Sequence, residues 1–195
     1  MKQRHPDLRN NSVSTYPRTS IVLHWLGALL VAGCFALGLL MTDIPGLTPT
    51  KLKYFSWHKW IGLTVLLTLL PRILWRLLRA SPAMPAGMAR WQQRAAHLTH
   101  LALYALLVAV PVSGLLFSQA AGVPVVLFGV LPIPAIVAPD AQLKVLLRSL
   151  HWIFNYSLLS LVCLHLLAVI KHQFINRDGL LARMLPFLQR PPSSR

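Results

Sequence analysis

Hydrophobic positions along this chain gather into four long runs, approximately Ile21 to Met41, Trp57 to Leu78, His97 to Ser118 and His151 to Ile170. Each is long enough to cross about 30 Å of hydrocarbon at about 1.5 Å per helical residue. The pattern predicts an all-α, integral-membrane four-helix bundle forming a single domain over residues 1–195. The first run reads as a retained span rather than a signal peptide. It is too long, and no small-residue cleavage site follows it before Asp43 and Pro45.

A fifth apolar stretch, Gln119 to Leu150, is interrupted by Gly122, Pro124, Gly129, Pro132 and Pro134. A lipid-exposed helix does not tolerate so many breaks, because each frees backbone groups that hydrocarbon cannot satisfy. The stretch therefore reads as a long outer-face loop over the bundle, with a short amphipathic helix near Ala141 to Arg148. No internal repeat stands out.

Charge changes the picture next. Only 12% of residues are charged, about half the share usual for a soluble domain. The balance is lopsided: 19 Lys and Arg stand against Asp7, Asp43, Asp140 and Asp178. A net charge of +15 on long apolar runs fits anionic lipid rather than nucleic acid. Thirteen cations fall on one side of the predicted spans: Lys2, Arg4, Arg9 and Arg18, then Arg76, Arg79, Arg90 and Arg94, then Lys171, Arg177, Arg183, Arg190 and Arg195. Five fall on the other: Lys51, Lys53, Lys59, Lys144 and Arg148. The positive-inside rule then places both termini in the cytoplasm. Cys34 and Cys163 sit mid-span with no ligand-type spacing and read as small packing groups.

The candidate chemistry lies in ionisable residues inside the spans, where each is costly. No Asp or Glu occurs there, which argues against a proton pump or cation transporter. Histidine does occur, at two depths. His151 and His165 are fourteen residues apart in the fourth span, so they share a face about 21 Å apart along the axis. The first span runs outward and places His24 at the inner depth of His165. The second runs inward and places His58 at the outer depth of His151. Two inner and two outer imidazoles make two bis-histidine sites, suited to two haems rather than to one tetrahedral zinc. Gly27, Gly38 and Gly62 lie on the histidine faces, where a flat macrocycle would need close approach; small residues packing helix on helix explain them equally well. His100 lies at the same depth as His24 and competes with it as partner of His165. His97 reads as interfacial, His172 as too near the surface for iron, and His5 as solvated.

At this point the chain resembles the bacterial cytochrome b561 family from about Ser20 to Met184. The resemblance is carried by SIVLHWL (Ser20–Leu26), WHKWIGL (Trp57–Leu63) with PRILWRL after it, HLTHLALYALL (His97–Leu107) and HLLAVIKHQFINRDGLLARM (His165–Met184). It implies an inner-membrane dihaem protein with His24 and His165 on an inner haem b and His58 and His151 on an outer one. It also implies ubiquinone as an electron partner, and its best-understood branch looks like a superoxide oxidase that passes electrons from periplasmic superoxide to ubiquinone. Bis-histidine ligation closes both axial positions and favours electron transfer over oxygen binding.

Further roles follow from that resemblance. Arg72 and Arg76 would pair haem propionates, since guanidinium grips carboxylate bidentately; Arg76 serves equally as a positive-inside anchor. His172, an imidazole able to exchange protons near neutral pH, would serve the quinone; an interfacial histidine anchoring the helix explains it nearly as well. Lys53 and Lys59, beside His58, would steer superoxide, with Lys51, Lys144 and Arg148 completing a cationic rim. Two other classes stay open: a haem-free scaffold or transporter, and a haem-bearing anchor subunit for a separate redox protein. Reduced-minus-oxidised absorbance separates the first from a cytochrome.

Overall fold

The computed structural model describes residues 15–79, 82, 84 and 87–188. The basic leader residues Lys2, Arg4 and Arg9, the solvated His5, and the tail cations Arg190 and Arg195 lie outside the described residues.

Among the described residues the fold rests on four long helices: α1 (Arg18–Asp43), α2 (Pro49–Leu78), α3 (Arg90–Ala120) and α4 (Ala141–Ile170). Each exceeds 18 residues with an apolar window of mean hydropathy between 1.7 and 2.1, enough to cross a membrane by length and composition. At about 1.5 Å per residue, helices of 26 to 31 residues outreach the hydrocarbon and enter both headgroup layers. Burial is inverted relative to a soluble bundle. Leu29, Leu77 and Leu101 are exposed, while Ser113, Ser118 and Gln119 are buried. That is the arrangement of a chain whose solvent is lipid.

α1 packs along α2, and α3 along α4; α2 and α3 meet more lightly, and neither α1 with α4 nor α2 with α4 forms an extended contact. The bundle is therefore two helical hairpins with room between them. Residues 44–48 and 121–140 lie at one end, the loop end. At the opposite, terminal end, the indole of Trp25 donates to Met184 O at 3.1 Å and Tyr16 N donates to Arg183 O at 3.2 Å. The first and last described segments thus meet on one side.

Several helices start earlier than hydrophobicity alone suggests, because capping sets their ends. Thr48 Oγ1 accepts from Lys51 N at 3.1 Å with Pro49 at the first helical position, so α2 begins eight residues ahead of Trp57. Asp140 Oδ1 accepts from Leu143 N at 2.6 Å and starts α4. The short separate helix expected near Ala141 to Arg148 is corrected here: it is the first two turns of α4, since no Gly or Pro separates Arg148 from His151.

The connection from α3 to α4 does not span. It forms a small antiparallel hairpin, β1 (Val126–Leu127) with β2 (Leu131–Pro132). Phe128 and Gly129, in its three-residue tip, both take positive φ, 53° and 74°. The hairpin leans on α2, where Trp60 Nε1 donates to Val126 O at 2.7 Å. Gln119, buried at the end of α3, clamps the segment behind it. Its amide donates to Pro134 O at 2.9 Å and accepts from Ile136 N at 3.0 Å. Replacing Gln119 by Leu leaves the Ile136 N–H and the Pro134 carbonyl unpaired, at a cost of about 1–3 kcal/mol. We expect a lower thermal midpoint in detergent and faster proteolysis within residues 123–138; an unchanged cleavage pattern would contradict the clamp.

Candidate functional site: two tiers of histidine in the bundle

At the loop-end tier, α2 and α4 bring His58 and His151 opposite each other across the bundle, with ring centroids 6.4 Å apart and ring planes nearly perpendicular, at 86°. Both rings are half-buried and both are anchored the same way. His58 Nδ1 lies 3.0 Å from Cys34 O on α1, and His151 Nδ1 lies 3.0 Å from Val110 O on α3. A backbone carbonyl only accepts, so each Nδ1 carries the hydrogen and each Nε2 keeps its lone pair.

The local reason is a glycine four residues after each accepting carbonyl. A helical side chain covers the turn N-terminal to its own Cα, so residue i+4 normally shields the carbonyl of residue i. Here i+4 is Gly38 for Cys34 and Gly114 for Val110. A Cβ on Gly38 would come within 3.4 Å of His58 Cε1, and one on Gly114 within 2.9 Å of His151 Cε1. The bare carbonyl has a second lone pair to offer the imidazole. Gly38 was legible as lying on a histidine face; Gly114 was missed. Its signal was present in the sequence: Gly114 follows His100 by fourteen residues, as Gly38 follows His24. The two hairpins are therefore equivalent at this tier, although no repeat is visible in the sequence.

Two further groups complete the tier. Cys34 Sγ lies 3.4 Å from His58 Nδ1, and Ser113 Oγ lies 3.1 Å from His151 Nδ1. Cys34, expected only as packing, thus also touches a functional ring; Cys163 is exposed on the outside of α4. A Cβ on Gly62 would approach Cys34 Sγ at 3.9 Å, which is ordinary packing.

The terminal-end tier is built differently. The ring of His165 packs against His100 of α3, with centroids 5.5 Å apart. Arg72 Nη2 donates to His24 Nδ1 at 3.0 Å. Gly27 makes room for that guanidinium, since a Cβ there would meet Arg72 Nη1 at 3.5 Å. The ring of His165 thus touches that of His100, and His24 lies within electrostatic reach of both. Arg72 and Arg76 both lie over the ring of Tyr104, at 5.4 and 5.6 Å, a residue sequence reasoning passed over. His97 is exposed at the start of α3.

The cations of the loop end are not equivalent either. Lys51 Nζ is committed to Ile44 O at 2.7 Å, and Lys53 Nζ sits 4.8 Å over the ring of Trp57. Lys59 is half-buried beside His58, while Lys144 and Arg148 are exposed on the first turns of α4.

Two observations test whether these residues suit a haem. An imidazole bound to a metal through nitrogen at about 2 Å on each side needs ring centroids about 6 Å apart, close to the separation of His58 and His151. Metal-bound histidine also donates its other N–H to a carbonyl, as both of these do. At the other tier, Arg72 is a half-buried cation with no carboxylate partner among the described residues, and Trp75 Nε1, one turn on, is a buried donor with no hydrogen-bond acceptor there. Donors of that kind suit the carboxylates of a porphyrin. The residues fit. We expect Gly114→Ala to push His151 off its carbonyl and lower the haem-to-chain ratio. Gly33→Ala, where a Cβ meets nothing within 4 Å, should leave that ratio unchanged. Equal haem content in both variants would refute the packing role of Gly114.

Comparison with known proteins agrees with this geometry. A family model described as prokaryotic cytochrome b561 matches residues 15–187. The chain is 35% identical to cytochrome b561 homolog 2 of Escherichia coli K12, covering 90% of this chain and 93% of that one. It is 27% identical to cytochrome b561 homolog 1 of the same organism, covering 89% and 98%. It is 26% identical to the probable superoxide oxidase CybB of Yersinia pestis, covering 88% and 96%. With four apolar helices and imidazoles facing one another inside them, the chain belongs to the prokaryotic cytochrome b561 family of membrane-embedded, b-haem electron-transfer proteins.

Proposed function

We propose that this protein carries electrons across the inner membrane through two b-type haems, from superoxide at its loop end to ubiquinone at its terminal end. The loop end faces the periplasm and both termini lie in the cytoplasm, a reading supported by thirteen cations on one side against five on the other. The observation that carries the redox reading is the His58–His151 pair, two imidazoles held by carbonyls with both Nε2 lone pairs left over. When bound, haem supplies the one-electron chemistry, while the protein sets position, potential and access.

His58 and His151 hold the outer haem. They stand on α2 and α4, helices without extended contact, so a macrocycle fits between their rings. By the same rule His165 on α4 pairs with His24 on α1, across the bundle, to hold the inner haem. Arg72 and Arg76 then bind its propionates, and Arg72 is placed to steady His24 as well. A second reading, in which His100 replaces His24, is favoured by the ring contact of His100 with His165. Replacing His58 or His151 by Ala should remove one of two haems and spare the other. His24→Ala should do the same for the inner haem, while His100→Ala retains both. A pyridine haemochrome assay giving one haem in the intact protein overturns the dihaem reading, and loss of haem in His100→Ala alone transfers the ligand role to it.

Superoxide as donor is supported by the name of the Yersinia pestis relative and by the cations around His58 and His151. Lys53 and Lys59 on α2, with Lys144 and Arg148 on α4, make a rim of one sign; Lys51 is spent on its loop. Such a rim concentrates anions at a low-dielectric opening, and salt screens it over about 8 Å at physiological ionic strength. Haem reduction by superoxide should slow as salt rises, and Lys53→Gln with Lys59→Gln should slow it further at unchanged haem spectra. A rate indifferent to both would point to a protein or quinol donor.

A further inference from the structure

At the terminal end, α4 does not simply stop. It opens into a wider π-helical turn, Lys171–Asn176, and the chain then reverses at Arg177, which adopts the left-handed conformation with φ 52° and ψ 37°. That conformation is uncommon for a residue with a side chain, and such turns persist where the surroundings over-determine them. π-helical turns likewise gather at functional sites. The consequence here is local: the reversal brings Asp178 back over His172, six residues earlier.

The contact is close. Asp178 Oδ2 lies 2.5 Å from His172 Nδ1, and the two side chains are only 18% and 16% exposed. Asp178 Oδ1 also accepts from Leu180 N at 3.2 Å, so the carboxylate is held from both sides. Asn176 brings its amide nitrogen to 3.1 Å from the same ring nitrogen. One hydrogen sits on Nδ1, and the charged acceptor at shorter distance takes it. Of the chain's four acidic residues, Asp43 is exposed at the end of α1 and Asp140 caps α4. Asp178 makes the one ion pair among the described residues.

Resting on the quinone reading above, we infer that Asp178 is a positioning residue that holds His172 with its hydrogen on Nδ1, so that Nε2 is the atom that passes protons to the quinone. Reduction of a quinone to its quinol takes two electrons and two protons. The electrons arrive singly from the haems. Each proton leaves Nε2 of the imidazolium for a quinone oxygen, and water on the terminal side returns it. Asp178 orients the ring and stabilises its charged form, as the buried carboxylate of a catalytic triad does for its histidine.

The test uses the purified, haem-loaded protein in detergent, reduced with dithionite and mixed with ubiquinone-1. Asp178→Asn keeps the volume and the Oδ1 acceptor for Leu180 but turns the atom facing His172 into a donor, which demands the opposite tautomer. The limiting rate of haem oxidation should fall about 10–100-fold, by analogy with the loss when the hydrogen-bond partner of a metal-bound histidine is removed. The half-saturating quinone concentration and haem content should not change. Asp178→Glu should recover much of the rate. Nitrogen-15 spectra of His172 should report the Nδ1–H tautomer in the parent and its loss in Asp178→Asn. Full speed in Asp178→Asn beside a slow His172→Ala overturns the role of Asp178 and leaves the quinone site standing. Full speed in both overturns the quinone site itself. Loss of haem in Asp178→Asn marks the residue as structural and overturns the inference as well.

Discussion

An imidazole inside a bilayer carries an N–H that water cannot satisfy, and the cost of leaving it unpaired is several kcal/mol. In this protein the acceptors are helix carbonyls, Cys34 O and Val110 O, laid bare by glycines four residues later. That single device settles much else. It fixes which nitrogen of His58 and His151 holds the hydrogen and turns both lone pairs to the remaining side of each ring. It also requires α1 to sit against α2, and α3 against α4, closely enough for ring and backbone to touch. The two tight hairpins, with looser packing between them, follow from that requirement.

The second constraint is electrostatic. A chain with nineteen cations and four acids cannot neutralise its intramembrane charge internally. Arg72 illustrates the result: it settles on a histidine nitrogen and the face of Tyr104, with no carboxylate in reach among the described residues. Cations left in that condition bind anions well, and the two tiers present them at both ends of the bundle. Where the chain does spend an acid within the terminal tier, at Asp178, it spends it on His172. Among the described acids, Asp140 caps α4 and Asp178 pairs with a histidine, while Asp43 stays exposed.

Much was legible before any coordinates. Four spans follow from apolar length alone, because hydrocarbon thickness leaves a chain little choice. The two depths of histidine follow from a fourteen-residue spacing, which the helical repeat converts into height. The rejection of a fifth span follows from Gly and Pro chemistry. What the spacing could not do was choose partners at equal depth. His24 and His100 are indistinguishable by height; the packing of α3 on α4 puts the ring of His100 against His165, while His24 takes a hydrogen bond from Arg72. Likewise, Lys51, Lys53 and Lys59 form one cluster in sequence, but the α1–α2 turn takes Lys51 for its own carbonyl.

The sequence by itself therefore determined the class of solvent, the number of crossings and the heights of the reactive side chains, since these depend on one-dimensional lengths and periods. The tertiary structure decided which helices are neighbours, that Gly114 serves His151 as Gly38 serves His58, and that Asp178 returns to His172. These depend on which faces the helices turn to one another and on the left-handed turn at Arg177; the fourteen-residue spacing marks Gly114 but names no partner for it.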